Sequence, residues 1–154
     1  MAYCLRSFCK RDEQASITSR LLSVSSSSGL ALVQVPDAAG WHELVLKLAD
    51  GTSFDLDYVS GSIHADLFEE ELEEFREFAV DADGTDQARQ QVLSHLDDTK
   101  AIVAIEVPAS VSQVALPVAS QLLRAISETC DGLVQADGEG FYRHDDADLL
   151  LPVA

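Results

Sequence analysis

The chain has 154 residues, 47% of them hydrophobic, so a single domain over residues 1–154 can bury a core without help from disulfides or metals. Its 27 acidic and 10 basic side chains give a formal net charge of −17. Such a surface repels the phosphates of nucleic acids and of anionic lipids, so we expect neither nucleic acid nor a membrane as a partner.

The N-terminal segment predicts a strand followed by a helix. Apolar and polar residues alternate over residues 3–8, as in a short strand, and apolar residues at helical spacing follow over 17–24. The serine run at 25–28 indicates the end of this helix. The first twenty residues are mildly basic, which predicts that they contact the acidic middle of the chain.

A strand and a hairpin are predicted next. The compact apolar run at 30–35 is typical of a strand. Two alternating runs within 42–59 flank Asp50-Gly51, a dipeptide of tight hairpin turns because its glycine accepts a positive φ. Residues 42–59 therefore predict two antiparallel strands.

Two helices are predicted in the acidic middle of the chain. Asp66 and Glu69 have the spacing of a capping box, and Thr85 is placed to cap the second helix after the break at 81–84. The first helix has one apolar face and one face of glutamates, and the second has an apolar stripe. The apolar residues are Phe68, Leu72, Phe75 and Ala79 in the first helix, and Ala88, Val92 and Leu96 in the second.

The C-terminal third predicts a buried strand, a helix and further strands. Residues 101–107 are almost continuously apolar, as in a central strand buried on both faces. The next helix begins at Ser110 and bends at Pro117, or begins at Pro117. Together these elements predict an α+β fold, with a mostly antiparallel sheet and three to four helices packed mainly on one face as a single pair of layers.

The cysteines and the apolar segments predict the compartment. Cys4, Cys9 and Cys130 are odd in number and form no C-x-x-C pair, so we expect buried, free thiols in a reducing cytoplasm. The N-terminus has no apolar core of a secretory signal, and the apolar region 111–126 is interrupted by polar residues. We therefore expect a soluble cytoplasmic protein.

The distribution of charge points to a function in recognition. Residues 55–98 carry fourteen acidic side chains against two arginines, whereas a mixed surface serves solubility equally well. This pattern predicts a module that binds and neutralises a basic protein, and in general character it resembles the acidic immunity proteins that inhibit bacterial nuclease-type toxins. The predicted partner-binding residues are Glu70, Glu73, Glu74, Glu77, Asp55, Asp57, Asp81 and Asp83, with Trp41 and Tyr142 as aromatic contacts.

No pattern in the chain predicts catalysis, and we expect no cofactor or metal. The turn at 81–86 lacks both end ligands of a calcium-binding loop. A metal-dependent hydrolase requires His64 and His144 to meet in a cleft lined by carboxylates. The alternative to protein binding is a small-ligand or regulatory domain whose pocket lies between sheet and helices.

Overall fold

The computed structural model describes residues 2–27, 31–32, 43–47 and 51–152. Within them the chain forms eight strands, four α-helices and a 3-10 helix at Ala109–Val111. In chain order, the elements are β1 (Ala2–Cys9), α1 (Gln14–Ser27), β2 (Ala31–Leu32), β3 (Glu43–Lys47), β4 (Ser53–Ser60), α2 (Ala65–Asp81), α3 (Asp86–Asp97), β5 (Ala101–Pro108), α4 (Ser112–Cys130), β6 (Gly132–Ala136), β7 (Gly140–Arg143) and β8 (Leu149–Pro152).

The strands form one sheet in the order β2-β3-β4-β5-β1-β6-β7-β8. Every pairing among the described strands is antiparallel. The central strands β5 and β1, of eight residues each, lie side by side, with Leu5 opposite Ile105. The predicted α+β class with an antiparallel sheet is therefore confirmed, and so is the central position of residues 101–107.

Helices cover both faces of the sheet, so the prediction that they pack mainly on one face is wrong. Leu5 of β1 belongs to the core beneath α1 and α4, whereas Phe8 of the same strand belongs to the core beneath α2 and α3. Because successive side chains point to opposite faces, a central strand that is apolar at nearly every position requires a helix layer on each side. The molecule consequently has three layers.

The predicted hairpin is confirmed by the pairing of β3 with β4 around Gly51, whose φ is 92°. Of the strand predicted at 30–35, only β2 is described, and it pairs with β3. The other residues of that predicted strand lie outside the described residues.

The ends of the helices correct two details. The helix α2 begins at Ala65 after His64, which makes no side-chain capping hydrogen bond, so Asp66 lies in the first turn and the capping box is wrong. Thr85 caps α3 as predicted, because its Oγ1 accepts a hydrogen bond of 3.1 Å from the N–H of Ala88. The helix α4 runs through Pro117, so the later of its two predicted starts is wrong.

The prediction of three free thiols is also wrong. Cys9 at the end of β1 and Cys130 at the end of α4 form a disulfide, with Cα atoms 5.2 Å apart. The two ends meet because the N–H of Lys10 donates a hydrogen bond to the carbonyl of Cys130. Cys4 is the free cysteine, and it lies half-buried on the other face of the sheet. The 121-residue separation explains why spacing along the chain did not predict the bond.

Candidate protein-binding surface

The outer side of α2 carries exposed glutamates, as the spacing predicts. Phe68, Leu72, Phe75 and Ala79 are buried against the sheet. On the opposite side, Glu73 forms an ion pair of 3.3 Å with Arg76. The other three glutamates predicted to bind a partner are Glu70, Glu74 and Glu77. They form no ion pair with any residue that the structure describes.

The sheet beside α2 carries a second group of carboxylates. Val59 and Ile102 are the paired residues of β4 and β5 that α2 covers. Further along the same face, Asp55 lies directly opposite Glu106, and both are exposed. Asp57, which is half-buried, lies opposite the exposed Glu43 of β3. Directly opposed like charges destabilise a sheet, so the exposed pair of Asp55 and Glu106 weakens the fold that carries it.

These residues share one side of the sheet and together form what we term the acidic face. Their neighbours along the strands, Leu44 and Leu56, point to the opposite side and are buried there. The acidic face consists of Glu43, Asp55, Asp57, Glu70, Glu74, Glu77 and Glu106.

Arg6 fixes α2 over the centre of the sheet. Its Nε donates a 3.2 Å hydrogen bond to Oε1 of Glu71, and its Nη1 lies 2.9 Å from both Oδ1 of Asp137 and Oε1 of Gln135. The guanidinium also lies 4.6 Å from the ring centroid of Phe75. Burial raises the pKa of Glu71, although Arg6 opposes this shift. The basic N-terminal segment thus contacts the acidic middle at Glu71, outside the acidic face.

Exposed apolar side chains border the acidic face. Leu67 and Phe78 are 46% and 45% exposed. Leu67 is three residues before Glu70, and Phe78 is four residues after Glu74, so each lies beside a glutamate of the acidic face. A partner that contacts these glutamates therefore also meets apolar surface, which charges alone do not supply.

The other predicted contacts differ in their relation to the acidic face. Asp81, the exposed last residue of α2, lies four residues after Glu77 and continues the same side of the helix, whereas Asp83 follows in the turn to α3. Tyr142 lies on the other side of the sheet, against α4, and Trp41 lies outside the described residues.

The turn that resembles a calcium loop holds an arginine. Nη2 of Arg89 donates hydrogen bonds to the carbonyls of Ala82, at 2.7 Å, and Gly84, at 3.4 Å. Nη1 of Arg89 pairs with Asp86 at 2.8 Å. A guanidinium thus already binds the carbonyls that a cation would use.

His64 and His144 do not meet in a shared cleft. His64 follows β4 and His144 follows β7, four positions apart in the sheet, or about 19 Å at the usual strand spacing. His144 instead lines a cavity of about 270 Å³ with His95 and Asp131. Burial lowers the pKa of His95, whose Nε2 lies 2.7 Å from the carbonyl of Phe8. No group of three potential metal ligands occurs among the described residues.

Sequence reasoning missed Glu43 and Glu106. The predicted turn contained the signal for Glu43, because a hairpin centred on residue 50 pairs positions 43 and 57. Glu106 meets Asp55 only through the pairing of β4 with β5, which are separated by two helices along the chain.

No protein-family model matches the chain, and no curated protein or solved structure is significantly similar to it. Among the described residues, no helix combines the length and the apolar composition that a transmembrane segment needs.

Proposed function

We propose that this protein binds a basic protein through the acidic face and inhibits it, as bacterial immunity proteins inhibit a nuclease-type toxin. The observation that carries the proposal is the directly opposed pair of exposed carboxylates, Asp55 and Glu106, on the side of the sheet where three glutamates of α2 form no ion pair with a described residue. This directly opposed pair costs the fold a fraction of a kcal/mol to about 1 kcal/mol. A cationic partner relieves that cost on binding.

The acidic face and the apolar border have different effects on binding. Clustered negative charge attracts a basic partner over long distance and speeds association. Contacts that slow dissociation need desolvated apolar area, which Leu67 and Phe78 supply. The proposal therefore predicts fast, salt-sensitive association together with a smaller apolar contribution to the lifetime of the complex.

Charge reversal tests the proposal. The basic protein that co-purifies with the chain is isolated, and its association rate is measured at about 0.03 M and about 0.3 M salt. We expect the combined Glu70→Lys, Glu74→Lys and Glu77→Lys variant to associate at least about tenfold more slowly at low salt. If the partner is a nuclease, the same variant should lose inhibition of its activity.

A matched variant controls for net charge. Glu128→Lys, Asp145→Lys and Asp148→Lys change the total by the same amount outside the acidic face, and all three residues are exposed. This control should associate within about twofold of the unmodified chain. Equal slowing in both variants would show that net charge alone attracts the partner.

A second candidate function is the binding of a small ligand. A cavity of about 560 Å³ on the side of α1 and α4 favours it, because ligand sites generally have this size.

The cytoplasmic location stays a prediction. The Cys9–Cys130 disulfide is the observation against it, because disulfides are rare in reducing compartments. Alkylating the thiols during lysis and counting the modified cysteines tests it: three modified residues per chain fit the cytoplasm, whereas one fits an oxidising compartment.

A further inference from the structure

The cavity of about 560 Å³ lies between α4 and the strands β1, β6 and β7, across the sheet from the acidic face. It has an apolar floor and a mixed wall. The floor comes from Leu5, Val134 and Ala136, and the wall follows one stripe of α4 at four-residue spacing, Leu116, Ser120, Arg124 and Glu128. Such a combination of apolar surface and few polar groups is typical of a ligand site.

Two tyrosines fix a carboxylate at the cavity. The hydroxyls of Tyr3 and Tyr142 donate hydrogen bonds to different oxygens of Glu139, and the Tyr142 bond is 2.7 Å long. Burial and this hydrogen bond raise the pKa of Tyr142 to about 12, and burial raises that of Tyr3 as well. Both phenols therefore remain protonated donors at neutral pH, and Glu139 is held in one orientation.

The arginine that lines the cavity, Arg124, already donates hydrogen bonds to backbone groups of this protein. Nη1 of Arg124 donates to the backbone carbonyls of Arg143, His144 and Asp146, at 2.8 to 3.1 Å. Its guanidinium lies 5.5 Å from the ring centroid of Tyr142. Four carboxylates line the cavity against this one guanidinium: Glu128, Glu139, Asp145 and Asp146.

We propose that this cavity binds a small organic cation, a primary amine or guanidine carried on an apolar or aromatic body. The cationic group meets the carboxylate of Glu139 between the two tyrosines, where a charge-assisted hydrogen bond and the aromatic rings both favour it. The apolar body covers Leu5, Val134 and Ala136. This inference rests on the second candidate function and is independent of the acidic face.

Three probes that share a benzene ring but are cationic, neutral or anionic test which class of ligand the cavity binds. Benzylamine, benzyl alcohol and benzoate are titrated against the full chain, and methyl resonances of Leu5, Leu116 and Val134 locate the binding. We expect benzylamine to shift these methyl groups and to bind at least about tenfold more tightly than the other two probes.

Matched neutralisations test the role of Glu139. Glu139→Gln should weaken benzylamine binding about tenfold, whereas Glu70→Gln removes the same charge on the other side of the sheet and should leave it unchanged. Equal binding of benzylamine and benzyl alcohol at these methyl groups would overturn the cationic class but keep a small-ligand site. Binding of no probe, or shifts confined to other methyl groups, would overturn both. The methyl shifts of the unmodified chain decide this even if Glu139→Gln does not fold.

Discussion

At the scale of single residues, Arg6 links the helix α2 to the strands β1 and β6 through polar contacts. Its side chain is only 18% exposed and contacts Glu71, Asp137 and Phe75 together. Removing one partner of a buried ion pair leaves the other charge uncompensated. We expect Arg6→Met to lower the free energy of unfolding by about 2–3 kcal/mol in urea titrations.

Arg11 provides the comparison, since it is exposed and forms no ion pair with a described residue. Arg11→Met should change the free energy of unfolding by no more than about 0.5 kcal/mol. A similarly small effect of Arg6→Met would mean that apolar packing alone holds α2 in place.

The tyrosines predict a loss of stability at alkaline pH. Burial and a hydrogen bond to a carboxylate raise the pKa of Tyr58, Tyr3 and Tyr142, the last to about 12, and the acceptor for Tyr58 is Asp12. Above pH about 10 the unfolded chain releases phenolic protons that the folded chain retains. The free energy of unfolding should therefore fall as the pH rises from about 10 to about 12.

Urea titrations at a series of pH values measure this dependence. Tyr58→Phe removes one of the retained protons, so its stability should fall less steeply than that of the unmodified chain over the same range. An unchanged slope would show that Tyr58 does not remain protonated in the folded state.

At the scale of elements, the turn between β6 and β7 offers a test of backbone packing. Gly140 has a φ of 138°, and an added Cβ would lie 2.2 Å from the carbonyl oxygen of Leu151 in β8. Gly138 also has a positive φ, 76°, but an added Cβ there meets nothing within 4 Å. The two glycines thus separate conformational strain from a clash with the neighbouring strand.

We expect Gly138→Ala to cost about 1 kcal/mol of stability, from strain alone. Gly140→Ala should cost at least about 2 kcal/mol more, because β8 must move. Thermal or urea unfolding measures both values. Equal costs would contradict the close approach of β8 to this turn.

Local patterns predicted most elements because their causes are local. Helical spacing identified the buried face of α2, and the turn at Gly51 identified the β3–β4 hairpin. The capping box failed because the chain leaves β4 in a turn where the N–H of His64 donates to the carbonyl of Ser60, so the helix starts before Asp66. The three-residue spacing of Asp66 and Glu69 carries no information about that turn.

At the scale of the whole molecule, the Cys9–Cys130 disulfide ties the first strand to the last helix. Closing a loop of this length stabilises a chain by about 2–5 kcal/mol, chiefly through the unfolded state. We expect the reduced chain to be less stable by that amount in urea titrations.

A thiol count accompanies this measurement. The denatured chain should show one reactive thiol, that of Cys4, before reduction and three afterwards. In the folded chain burial raises the pKa of Cys4 to about 11, so it should react slowly near neutral pH. Three thiols before reduction, with no stability change on adding reductant, would contradict the disulfide.

The arrangement of layers and the acidic face depended on contacts that are distant in the sequence. The apolar run of β5 indicated burial on two faces, but not that α2 and α3 supply the second layer. The opposition of Asp55 and Glu106 likewise arises only when β4 pairs with β5. The charge composition predicted an acidic surface. It could not predict that Tyr142 lies on the opposite side of the sheet, because that depends on how the strands pair.

An amide hydrogen-exchange footprint of the basic partner tests the central claim most directly. We predict slower exchange in β3, β4 and α2 on binding, with unchanged exchange in α4. High salt should abolish the protection, because screening weakens the attraction between exposed charges. Protection confined to α4 and the strands that line the cavity, with none in β4 or α2, would contradict the assignment of the acidic face as the binding surface.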